Sequence, residues 1–189
     1  WHLLPLMAGV TLAAIGSGRF LLRLAIPSEQ RVKLTASEQG LLGLALGLSS
    51  LSLGTLLLGL AGGLHQAWLV RLVVGFLAGL GIHALTQVNW REQFQQWNTQ
   101  PRLCQMLYAA AAVMTLMLLW AAALPPWDFD VREYHLQVPK EWYQSGRIEF
   151  LPHNVYAQMP LGAEMQPLLA MTLVGGSDLP LVALDAYWR

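Results

Sequence analysis

The side chains of this chain that could do chemistry are concentrated in one segment, residues 125–162. Two carboxylates, Asp128 and Asp130, stand shortly before His135, and the cation Lys140 follows. A carboxylate held in place can accept a proton as a general base, and acidic residues with a histidine are also suitable ligands for a divalent metal. Their spacing does not require a metal. The segment therefore predicts acid–base chemistry, with a divalent metal left open and no other cofactor implied.

The composition indicates that this segment belongs to a membrane protein. Hydrophobic residues make up 55% of the 189 residues and charged residues only 12%, about half the roughly 25% of an ordinary globular chain. The mean hydropathy is +0.44. Eleven basic residues balance eleven acidic ones, which excludes a generally basic nucleic-acid binder. A single cysteine, Cys104, excludes an intrachain disulfide framework.

Four apolar stretches are long enough to cross a bilayer, which takes about 20 residues. We therefore expect residues 1–125 to form four transmembrane helices of an all-α, polytopic bundle. The stretches cover residues 3–25, 40–62, 68–88 and 105–124.

Two glycine pairs in these stretches, Gly43–Gly47 and Gly75–Gly79, have the small-xxx-small spacing. That spacing lets helices approach each other closely in lipid. The alternative is only that glycine is common in membrane helices.

The orientation of the bundle follows from the charges of its short loops. Basic residues cluster after the first and third stretches and are absent from the turn between the second and third. We therefore expect the N-terminus outside, two cytoplasmic basic loops, and residues 126–178 on the extracytoplasmic side. The basic residues in question are Arg19, Arg23, Arg31, Lys33, Arg91 and Arg102.

Residues 126–178 are predicted to form a loop with short amphipathic helices at the membrane surface. Apolar and aromatic residues recur at helical spacing between Val131 and Trp142, and we expect Pro139 to bend this helix and Gly146 to end it. A second helix is expected from about Gly162 to Val174. Residues 179–189 look like the start of a further span, so we expect a piece of a longer polypeptide.

The loop also carries an ordered series of unlike residues. The series comprises Asp130, Tyr134, His135, Leu136, Pro139, Lys140, Trp142 or Tyr143, Gly146 with Ile148, Asn154, and Pro160 with Glu164. It resembles the first extracytoplasmic loop of polytopic glycosyltransferases with the GT-C fold. These include the dolichyl-phosphate-mannose protein mannosyltransferases (glycosyltransferase family 39) and bacterial relatives that modify lipid A or envelope polysaccharides. The resemblance covers about residues 125–171. It departs from the family's adjacent acidic pair, because Phe129 separates Asp128 from Asp130.

The resemblance implies a sugar transferase of a bacterial inner or plasma membrane. The donor would be a polyprenyl-phosphate sugar and the acceptor an extracytoplasmic glycan, lipid or protein. Asp130 would be the general base, with Asp128 as the second candidate. Cations would stabilise the departing phosphate, and Trp127, Trp142 and Tyr156 could stack on sugar or prenyl groups. Substrate binding would fall to Tyr134, His135, Arg132, Lys140, Arg147, His153, Asn154 and Glu164.

Each of these residues has a purely structural alternative. Asp130 could be a helix N-cap, His135 a packed histidine, and Lys140 and Arg147 could only anchor the chain at the interface. Glu164 is the least easily dismissed, since an acid between apolar stretches is costly unless it is paired or functional. The whole chain could also be non-enzymatic, as a transporter piece or an assembly scaffold.

Overall fold

The computed structural model describes residues 3–31, 34–121, 129–159 and 162–177. All regular structure in these residues is helical, as the sequence predicts. Residues 179–189, the predicted start of a further span, lie outside the described residues. The helices are α1 (Leu3–Ala25), α2 (Ser28–Arg31), α3 (Ala36–Leu60), α4 (Ala67–Thr86), α5 (Trp90–Thr99), α6 (Arg102–Ala121), α7 (Gln137–Ser145) and α8 (Met165–Val174).

Three of the described helices are long and apolar enough to cross a membrane. They run over Pro5–Ala25, Ala36–Leu60 and Ala67–Thr86, close to the first three predicted spans. The fourth predicted span is helical from Arg102 to Ala121, and its described apolar part, Arg102–Met117, is shorter than the other three. Residues 122–124 of that prediction lie outside the described part of the chain.

The second span begins earlier than its apolar run suggests, because polar residues form its first turn. The Thr35 hydroxyl accepts a hydrogen bond from the Glu38 backbone N–H at 3.3 Å, and the Glu38 carboxylate accepts one from the Thr35 N–H at 2.7 Å. This reciprocal capping box satisfies N–H groups that have no partner within the helix. It places the start of α3 at Ala36 rather than at residue 40.

Helix α1 packs along both α3 and α4, and glycines make the contacts close. A Cβ added at Gly47 would lie 1.8 Å from the Ala14 carbonyl oxygen, and one added at Gly18 would lie 1.6 Å from the Gly43 carbonyl oxygen. The close approach predicted for Gly43–Gly47 is therefore confirmed. Around Gly75 and Gly79 the described residues leave open space, so close approach at that pair stays a prediction.

The loop segment divides into two short helical pieces at Leu136, not at Pro139 as predicted. A π-helical turn covers Val131–His135, and α7 follows from Gln137. Pro139 lies in the first turn of α7, where the backbone N–H that it lacks would have had no intrahelical partner. Proline is tolerated there without a bend. Gly146, with φ +78°, ends α7 as predicted.

Helix α8 is buried from Met165 to Leu173 and joins two hydrophobic cores. Leu169 and Leu173 belong to the core between α1, α3 and α4, whereas Met165 and Leu168 belong to a second core with α7. The amphipathic face of α7 therefore packs on protein, with Val138 and Trp142 buried. The loop and the bundle are consequently one packed unit.

Candidate functional site

Backbone hydrogen bonds fix the loop to the turn between α3 and α4. The Leu64 N–H donates to the Gly146 carbonyl at 3.2 Å, and the Ile148 N–H donates to the Gly59 carbonyl at 2.9 Å. His65 Nε2 donates to the Tyr143 carbonyl at 2.7 Å, so this histidine ties the turn to α7. The loop therefore lies at the end of the bundle that carries the non-basic turn.

A hydrogen bond between His135 and Glu164 is the centre of the candidate site. The Nδ1–H of His135 donates to Oε1 of Glu164. The Glu164 side chain is only 7% exposed, whereas the His135 side chain is 43% exposed. A buried carboxylate needs such a partner, because burying an unpaired charge is costly. Bonding through Nδ1 also fixes the ring and leaves Nε2 without a bond to any described residue.

Aromatic rings and an amide surround this pair. The Tyr134 ring lies 4.2 Å from the His135 ring and stacks on Tyr156 at 4.8 Å, measured between centroids. The Asn154 side chain donates to the Glu133 carbonyl at 3.0 Å and accepts from the Tyr156 N–H at 3.1 Å. The Asn154 side chain thus links the backbone at Tyr156 to the turn that carries Tyr134. Its amide group therefore holds Tyr134 and Tyr156 close to each other.

A second polar cluster forms on α7 around Glu141, which the sequence analysis did not select. His153 Nε2 donates to Glu141 Oε2 at 2.7 Å, and Gln137 Nε2 donates to Glu141 Oε1 at 2.7 Å. The spacing of Gln137 and Glu141 on one helix is a signal for their pairing. The partnership with His153, twelve residues further along, needs the folded loop. Lys140 lies half-buried on the same helix.

The predicted general base, Asp130, is exposed directly before the π-helical turn, and Arg147 is exposed just after α7. Asp128, Trp127, Pro160 and the side chain of Arg132 lie outside what the structure describes. Of the predicted stacking residues, Trp142 is buried and its indole N–H donates to the Glu149 carbonyl at 2.8 Å.

The described residues do not supply the ligand set of a metal site. His135 and Glu164 provide two suitable donors, and a bound divalent or transition metal takes four or more ligands. No group of three or more His, Cys, Asp or Glu side chains in the described part of the chain could hold a metal ion.

An open, mostly apolar cavity of about 580 Å³ lies between α3 and the loop. It lies between the end of α3, at Leu56 and Leu60, and the loop residues Phe150 and Met159. It reaches Met165, the residue after the buried Glu164. An apolar surface that starts on a bilayer-length helix thus continues up to the polar loop.

In the part of the chain that the structure describes, these features define an all-helical fold with three helices that could cross a membrane and a folded polar loop at one end. No protein-family model matches the sequence, and neither a curated protein nor a solved structure shows significant similarity to it.

Proposed function

We propose that this chain is part of an integral membrane glycosyltransferase of the GT-C type. It transfers a sugar from a polyprenyl-phosphate-linked donor to an acceptor on the extracytoplasmic face. The observation that carries the proposal is the hydrogen bond between His135 and Glu164, two residues of the family-like series that lie 29 positions apart. The Tyr134 ring lies against the His135 ring. Their contact gives the series a three-dimensional arrangement.

The surroundings of the site support a donor with a lipid tail. The 580 Å³ cavity runs from Leu56 and Leu60 of α3 to Phe150 and Met159 of the loop, so a prenyl chain lying along α3 could reach this part of the loop. Lys140 and Arg147 lie on the same loop, and fixed cations favour a developing phosphate charge. The attachment of the loop to the non-basic α3–α4 turn supports an extracytoplasmic position, because cytoplasmic loops carry the basic excess.

In the proposed reaction, the acceptor hydroxyl oxygen attacks the anomeric carbon of the donor. A new glycosidic bond forms while the bond from the anomeric carbon to the phosphate oxygen breaks, and the phosphate leaves with that electron pair. The hydroxyl proton passes to the Asp130 carboxylate, which is exposed and thus accessible to an acceptor. Asp128 remains the second candidate for the base. His135 Nε2 and the Tyr134–Tyr156 stack offer a hydrogen-bonding group and an aromatic surface for the sugar.

The test is sugar transfer by Asp130→Asn in the full-length protein, in native membranes supplied with a radiolabelled polyprenyl-phosphate sugar. We expect transfer to fall by about 10²- to 10⁴-fold, the contribution of a general base, with unchanged membrane insertion. Glu133→Gln is the matched control, since it removes an exposed carboxylate three positions away. Wild-type transfer by Asp130→Asn would refute the assignment of the base. A wild-type protein that transfers no sugar would favour the non-enzymatic alternative.

A further inference from the structure

Helix α5, at the other end of α4, carries an aromatic stripe that the described residues leave largely uncovered. Trp90, Phe94 and Trp97 follow one another at i, i+4 and i+7, which places them on one helical face. Their exposed fractions are 63%, 70% and 38%. Arg91 and Gln95, on another face of the helix, are exposed and polar.

Local contacts hold the two ends of this helix. The Asn89 side chain accepts a hydrogen bond from the Glu92 N–H at its start. At its end, Gln105 Nε2 donates to the Trp97 carbonyl at 3.0 Å, and the Trp97 ring lies 5.7 Å from the Tyr108 ring. The stripe therefore belongs to a helix whose last turn contacts α6, and most of the Trp90 and Phe94 rings remain exposed.

The connections of α5 indicate what covers the stripe. The helix lies between the end of α4, which is long and apolar enough to cross a membrane, and the start of the apolar α6. These two helices also expose apolar side chains near α5 in the sequence, among them Ile82 on α4 and Leu103 on α6. A bilayer that surrounds α4 must therefore reach its water boundary close to α5.

The residue types match that boundary. Tryptophan is enriched where the hydrocarbon meets the head groups, because its ring is apolar and its N–H is polar. Arg91 and Arg102 stand at the starts of α5 and α6, where they can approach anionic head groups. We propose that α5 lies in the plane of the membrane, with Trp90, Phe94 and Trp97 inserted at the boundary between head groups and acyl chains.

The stripe would face the leaflet opposite to the loop that carries His135 and Glu164. Helix α4 starts beside the α3–α4 turn, to which the loop is attached, and its 20 residues span about 30 Å at 1.5 Å per residue. The protein would thus contact one interface with its polar loop and the other with α5. This inference does not depend on the proposed glycosyltransferase activity.

The test places a nitroxide label on each face of α5 in a Cys104→Ser background, which removes the chain's single cysteine. Phe94→Cys puts the label on the stripe, and Gln95→Cys is the matched control on the polar face. Both proteins are reconstituted into vesicles of phosphatidylcholine and phosphatidylglycerol. Collisions of the label with dissolved oxygen and with a water-soluble nickel chelate are then measured.

We expect the label at position 94 to collide more with oxygen than with nickel, and the label at position 95 to show the reverse preference. Strong nickel access at both positions would overturn the proposal, because the stripe would then face water. A label at position 94 that is shielded from both reagents would also overturn it, since protein would then cover the stripe. Equal thermal unfolding of the labelled and unlabelled proteins shows that the variants fold.

Discussion

Replacing Gly47 by alanine tests the helix packing on which the whole arrangement rests. The added Cβ would lie 1.8 Å from the Ala14 carbonyl oxygen, whereas ordinary van der Waals contact begins at 3.4 Å. The obstructing atom belongs to the backbone of α1, so a side-chain rotation cannot relieve the clash. Helices α1 and α3 would have to separate by roughly 1.6 Å, the difference between these two distances.

The expected cost is about 1–3 kcal/mol, the usual penalty for overpacking a well-packed interior. For a chain of this size, each kcal/mol lowers the melting temperature by roughly 2–4 °C. We therefore expect Gly47→Ala to lower the melting temperature of the purified protein in detergent by several degrees. The measurement is thermal unfolding followed by circular dichroism.

Gly54→Ala is the matched control because it makes the same change on the same helix. Nothing lies within 4 Å of a Cβ at Gly54, and alanine favours helix over glycine by up to about 1 kcal/mol. Gly54→Ala should therefore leave the melting temperature unchanged or raise it. An unchanged melting temperature for Gly47→Ala, or equal losses in both variants, would refute the close contact between α1 and α3.

Two further predictions concern the buried polar contacts of the loop and α8. Glu164→Ala removes the acceptor of the His135 N–H, and we expect the free energy of unfolding, measured with denaturant, to fall by about 1–3 kcal/mol. Glu164→Gln retains an acceptor oxygen and should lose less, so an equal loss in both would contradict the bond. Arg71→Met removes the hydrogen bonds of 2.7 Å and 3.1 Å to the Leu173 and Val174 carbonyls. We expect faster amide exchange in the last turn of α8, and unchanged exchange would contradict this capping role.

The membrane helices could be predicted from the sequence because their signal is local. A run of about 20 apolar residues predicts a spanning helix whatever its neighbours are, and α1, α3 and α4 follow three such runs. The glycine prediction is confirmed at Gly43–Gly47, where α3 faces α1, and it stays a prediction at Gly75–Gly79, which faces no described helix. The spacing of two glycines shows that one face of a helix lacks side chains. Close helix–helix contact also requires that this face point at another helix.

Helix α5 was missed although its sequence carries a usable signal. The aromatic spacing of Trp90, Phe94 and Trp97 and the capping residue Asn89 together predict a short amphipathic helix. The segment was interpreted only through its basic residues. The division of the loop at Leu136 was harder to predict. A proline normally marks the bend in a helix, whereas Pro139 lies in the first turn of α7, where it causes no bend.

The hydrogen bond between His135 and Glu164 could not be predicted from local sequence patterns. Both residues were selected individually, but their hydrogen bond depends on the return of the chain after the 3-10 turn Val155–Gln158. It also depends on the burial of Glu164 at the start of α8. Long-range contacts of this kind are set by tertiary packing, which no spacing rule describes.

The burial of α8 implies that the candidate site and the membrane helices are mechanically coupled. Leu168 packs in the loop core beside Val138, and the next residue, Leu169, packs in the bundle core beside Val74. Between the cores, Gln166 donates to the Leu48 carbonyl at 2.9 Å. A rigid helix cannot move in one core without moving in the other, because closely packed interiors transmit strain. A displacement of α3 should therefore reach Glu164, which directly precedes α8, and through it the orientation of the His135 ring.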